Sequence, residues 1–95
     1  MFLINSVYVK DQALAEPHQH SHVAWASKYI AAGVFLLAGP KRDQSGGLIL
    51  ARGVDRAGLL GILAEDSYLS EGIVAYDVTD FTPVLTRQEL AMLKE

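Results

Sequence analysis

His22 and Asp66 are the two side chains of this sequence best suited to proton chemistry. An imidazole changes charge near neutral pH and so serves as an acid or a base. A carboxylate can orient such a ring or take part in the transfer itself. No cysteine accompanies them, which excludes disulfides, thiolate nucleophiles and cysteine-ligated metals. Serines are present, but no nucleophile-elbow pattern surrounds any of them.

Other groupings carry less. His18, His20 and His22 suggest a metal, yet on a helix only His18 and His22 share a face. Two histidines without a third ligand make a poor site, so no metal is expected. Lys41, Arg42 and Arg52 are candidates to meet an anionic substrate, with a solvated loop as the plainer reading. Ser45-Gly46-Gly47 lacks the lysine and the following helix of a phosphate loop. Gly39-Pro40 suits a strand end or a bulge.

These residues need elements to hold them. Residues 2–9, rich in Val, Ile, Phe and Tyr, predict a first strand, and Lys10 to Glu16 a loop. Pro17 suits the first turn of a helix running to about Ala32, with Val23, Ala26, Ile30 and Val34 as its apolar stripe. His22 falls at the edge of that stripe. Gly33 is a natural helix stop. Val34–Ala38 and Leu48–Ala51 are continuous apolar runs that predict an antiparallel pair of strands buried on both faces. Asp55 is placed to cap a second helix to about Glu65, with Leu59, Leu60 and Leu63 inward. Residues 73–81 predict a fourth strand with Val74, Tyr76 and Val78 on one face. Thr86-x-x-Glu89 has the form of a capping box before a short C-terminal helix. The order is β-α-β-β-α-β, the ferredoxin-like arrangement of an α+β protein. The double-faced strands call for a cover on the open sheet face, and a second copy of the chain is the expected one.

The bulk properties agree. A chain of 95 residues makes one domain, and 51% hydrophobic residues exclude a disordered tail. A net charge of -3 with scattered basic residues gives no nucleic-acid footprint. No apolar run is long enough to span a membrane. The apolar start lacks a basic segment and meets Asp11 early, unlike a signal peptide, so a cytoplasmic location is expected.

The chain resembles the YciI-like (YCII-related) family. The matching run is His22-x-x-Trp25, Tyr29-x-x-Ala32-Gly33-Val34-Phe35-Leu36, Gly39-Pro40, Gly46-Gly47-Leu48-Ile49-Leu50-Ala51, Leu63-Ala64-Glu65-Asp66, Gly72, Tyr76 and Phe81-x-Pro83. The resemblance covers residues 1–83 and leaves 84–95 as a helical tail outside the pattern. It implies a dimeric ferredoxin-like α+β barrel and a His/Asp site falling on His22 and Asp66. Relatives include a dehalogenating lactone enzyme, and the fold resembles muconolactone isomerases. One departure falls at the site: the family usually has Asp-Pro before Phe or Tyr, whereas here the run is Asp66-Ser67-Tyr68.

The expected function is a cofactor-free acid–base enzyme. It would catalyse elimination or isomerisation on a small organic substrate, anionic or cyclic. His22 and Asp66 would be catalytic, and Trp25, Tyr29, Gly39 and Pro40 would contact substrate. The alternative is a non-catalytic dimeric module that binds a small ligand or a protein. Asp66 also has a plainer role open to it, capping a turn through Ser67 to Ser70. Two parallel neighbouring helices would hold His22 and Asp66 apart. Convergence of the pair then requires the chain that turns back after Asp66, or the partner subunit.

Overall fold

Alternation of strand and helix along the chain produces one antiparallel sheet with its helices against it. The computed structural model describes residues 1–95. Strand β1 spans Phe2–Tyr8, helix α1 Gln19–Ala31, β2 Phe35–Pro40 and β3 Gly47–Ala51. Helix α2 spans Arg56–Leu63, the single turn α3 Ser67–Ser70, and β4 Val74–Asp80. The sheet order is β2-β3-β1-β4, with every neighbouring pair antiparallel. This α+β layout is consistent with the ferredoxin-like arrangement.

The local causes are visible in the caps. Asp55 accepts from the backbone N–H of Gly58 at 2.7 Å and opens α2. Gly33 takes φ +78° just beyond α1, the left-handed conformation that ends a helix at little cost to glycine. Pro17 lies not in the first α-turn but inside a 3-10 segment, Gln12–His18, that replaces the expected loop. Strand β2 runs on through Gly39-Pro40, which form its end on the sheet edge, where a missing N–H is tolerated. A bulge lies between Phe35 and Leu37.

The core joins Phe2, Ile4, Phe35, Ile49 and Ala51 of the sheet to Trp25, Leu59 and Leu63 of the helices. The expected stripe of α1 is corrected here. Trp25 is the residue α1 buries, whereas Val23 and Ile30 are exposed, because they face a cavity rather than the core. Leu60 is exposed as well, one position round the helix from the buried Leu59. Val74, Tyr76 and Val78 do share the inner face of β4: Val74 is buried, and the other two pack on the core.

The tail is corrected too. It forms 3-10 turns over Gln88–Leu93, with no side-chain cap. The Thr86 hydroxyl is buried without a partner, and Glu89 pairs with Arg87 at 3.0 Å. The capping box fails because Thr86 faces inward instead of toward the turn. No helix is long and apolar enough to cross a membrane.

Candidate active site

Sheet directions decide which helix ends meet. Strands β1 and β2 point one way, and β3 and β4 the other. Helix α1 returns from β1 to β2, and α2 from β3 to β4, so the two helices run antiparallel. The expectation of parallel helices is thereby overturned, and with it the objection to contact. The end of α2 meets the start of α1 within one subunit.

Side chains of α1 join it to the corner that follows α2. Trp25 Nε1 donates to the Ile62 carbonyl at 2.9 Å. Ser21 and Ser67 hydroxyls lie 2.7 Å apart. His22 Nδ1 lies 2.7 Å from Oδ1 of Asp66. A carboxylate only accepts, so Nδ1 carries the hydrogen and Nε2 is left with the lone pair. The imidazole stacks on Tyr68, with ring centres 3.9 Å apart and planes within 1°. It retains 27% of its surface, whereas the Asp66 side chain has none.

Asp66 makes both the capping contact and the contact with His22. It caps α3, accepting from the backbone N–H of Tyr68 at 3.1 Å, and it holds His22 through the same oxygen. The other oxygen accepts from the Tyr76 hydroxyl at 2.5 Å. A buried carboxylate is tolerable only with such bonds. Burial, and then the bond to Asp66, push the Tyr76 hydroxyl far above the usual phenol range, so it stays a donor. Burial also raises Tyr68, helped by the charges of Tyr8 and Asp66. Serine at position 67, where proline is usual in the family, leaves the cap intact.

Beside this pair, between α1 and the sheet, lies a cavity of about 470 Å³. His22, Trp25, Gly39 and Pro40 line it, as do Val23, Ala26 and Ile30. Tyr29 does not. Its ring packs on Phe35, with centres 5.5 Å apart, and its hydroxyl bonds Glu65, to which Lys28 Nζ also donates at 3.2 Å. Tyr29 thus fastens α1 to the corner after α2 instead of facing a ligand. Those bonds pull Glu65 below its usual range and raise Lys28 and Tyr29. Lys41, Arg42 and Arg52 are absent from the cavity wall, and Arg52 donates to the Met92 carbonyl in the tail at 3.0 Å. His18 opens α1 and accepts from Ser21 through its carbonyl at 2.9 Å, and His20 is exposed.

Tyr76, Tyr68, Ser6, Tyr8 and Gln19 also line the wall and went unread as site residues. The alternation of β4 had placed Tyr76 on the inner face, and its hydroxyl, needing a buried partner, was the signal available.

A histidine held by a buried carboxylate at the wall of a cavity, on an antiparallel α+β fold, is an arrangement able to take up and return a proton. The chain belongs to the YCII-related domain family, whose model matches residues 1–82. Among solved structures it is similar to 5-chloro-2-hydroxyhydroquinone dehydrochlorinase (TftG) from Burkholderia phenoliruptrix AC1100, in complex with 2,5-dihydroxybenzoquinone. That likeness has a TM-score of 0.70 at 13% identity and covers 86% of this chain and 94% of that one, which establishes the shared fold. No curated protein sequence matches the chain.

Proposed function

We propose that this protein is an acid–base enzyme acting on a small organic substrate, with His22 as the proton-transferring group and Asp66 as its orienting partner. One observation carries this: the 2.7 Å bond from His22 to a fully buried carboxylate, at the wall of a cavity. Nε2 would remove a proton from a carbon next to a carbonyl. The C–H bond breaks, the N–H bond forms, and the electron pair passes to the carbonyl oxygen. In an elimination, that pair returns and expels a leaving group from the neighbouring carbon with its bonding electrons. In an isomerisation, the imidazolium returns the proton to a different carbon. The likeness to a dehydrochlorinase favours testing elimination first. Trp25, Gly39 and Pro40 would contact the substrate; Tyr29 would act only by holding α1.

Chloride release from chlorinated hydroquinones, measured with the purified protein, tests the reading. His22→Ala is expected to lower the rate about 10²–10⁴-fold, the usual worth of positioned proton transfer. An unchanged rate in that variant overturns the assignment.

A second copy of the chain is the proposed cover for the outer sheet face, closing a dimeric barrel. Leu3 pairs with Leu50 and Leu50 with Leu37 across three strands, and Leu48 lies in the next row. Leu37 is 58% exposed in the single chain. An exposed apolar patch of this kind supports an interface on that face. Sedimentation equilibrium at micromolar concentration is expected to give a dimer; a monomer at every concentration rejects the barrel.

A further inference from the structure

We propose that the substrate is amphipathic, with a carbonyl head at His22 and a saturated alkyl tail laid along α1 over Val23 and Ile30. The inference rests on the reading of His22 as the proton-transferring group and adds what else the ligand carries.

The cavity has two unlike ends. Around His22 the wall is aromatic and polar. Tyr68 stacks on the imidazole, and the Trp25 ring lies 5.6 Å away. Gln19 stands one helical turn before His22, and Ser6 is paired with Tyr76 on the sheet below. From Val23 onward the wall is aliphatic. Val23, Ala26 and Ile30 follow one another at three- and four-residue spacing, so they share the face of α1 that lines the cavity. Across from them the sheet carries Ala38 paired with Ile49, and Pro40 paired with Gly47. Ser27 is the one polar side chain on this stretch, and no charged residue lines the cavity.

The small residues of the sheet explain why the space exists. Ala38 and Gly47 are too short to meet α1. Val23 and Ile30 are therefore left 53% and 43% exposed, although both line a cavity between the helix and the sheet. The wall from His22 to Ile30 measures about 12 Å along the helix axis. A ligand confined to the His22 end would leave this aliphatic stretch in water. A charged or hydrogen-bonding tail laid along it would lose its hydration without gaining a partner. A saturated chain covers Val23 and Ile30 at no such cost.

Butan-2-one, hexan-2-one and octan-2-one test this, because they share one head and differ only in the tail. Binding is followed by NMR, through the His22 ring signals and the methyl signals of Val23 and Ile30. Affinity is expected to rise about fourfold per added methylene, the worth of burying each one. The Ile30 methyl signals should move with octan-2-one, and the His22 signals with all three. Ala38→Leu, at an exposed position on the edge strand, fills the aliphatic end. It should abolish the gain with length while butan-2-one still moves the His22 signals. Equal affinity along the series, with the His22 signals moving, overturns the tail and leaves the functional reading in place. Val23 and Ile30 signals that move with protein concentration and not with ketone assign this surface to a second copy, which also overturns it. If no ketone moves the His22 signals, this inference and the reading beneath it fall together.

Discussion

Asp66→Asn is expected to lower turnover by about 10–10³-fold, the worth of a neighbouring opposite charge to the imidazolium, while leaving the fold and the histidine tautomer unchanged. The hydrogen bonds dictate this separation. Oδ1 of Asp66 accepts from both His22 and the Tyr68 N–H, so asparagine must present its oxygen there. Its NH2 group then faces Tyr76, whose hydroxyl turns to accept instead of donate. Nδ1 of His22 keeps its hydrogen, and what disappears is the negative charge that stabilises imidazolium during the reaction. Nitrogen-15 shifts of the His22 ring read the tautomer directly, and chloride release reads the rate. Full activity in Asp66→Asn would reduce Asp66 to a cap of α3. Tyr76→Phe provides a check that spares the carboxylate. Losing a hydrogen bond to a buried charge should cost about 1.5–3 kcal/mol of stability, measured by urea unfolding.

Gly46→Ala is the second large effect, and it acts on the fold. A Cβ at Gly46 would stand 1.9 Å from the Ser6 carbonyl oxygen and 2.6 Å from its carbon. Both are backbone atoms of a central strand, so nothing flexible can yield. Gly46 also sits at φ +149°, a conformation that side chains seldom adopt. The β2–β3 turn lies directly on β1 there: Tyr8 N–H donates to Ser45 at 3.0 Å, and Gly47 N–H donates to the Ser6 hydroxyl at 2.8 Å. Overpacking and backbone strain together should cost about 3–5 kcal/mol. In a domain of this size each kcal/mol lowers the melting temperature by about 4–8 °C. Gly61→Ala serves as the control, since a Cβ there meets nothing within 4 Å. Equal melting temperatures for the two variants would show that the turn can lift away from β1.

Much of this was legible along the chain, because it rests on short-range physics. Asp55 caps α2, Gly33 ends α1, and residues 74, 76 and 78 share one face of β4. Each follows from one residue's chemistry and a period of two or about four. The stripe of α1 misled for a physical reason as well. An apolar helix face marks a surface that avoids water, and it does not say whether core or cavity lies opposite. Val23 and Ile30 line the cavity, whereas Trp25 is the residue that reaches the core. Tyr29 lies on the same side of α1 as His22 yet leans onto Glu65, a partner supplied by another element.

From its residue order alone, this protein has its strands and two main helices, the helix ends at Asp55 and Gly33, its family and the two side chains suited to proton transfer. The tertiary structure decided that those two groups meet. Strand direction settles it: with β1 antiparallel to β3, the helices that follow these two strands must run opposite ways. The end of α2 therefore arrives at the start of α1. Asp66 caps the turn formed there, which fixes its carboxylate before His22 is reached. Contact across 44 positions is a property of chain direction in the sheet, which no local pattern of side chains encodes.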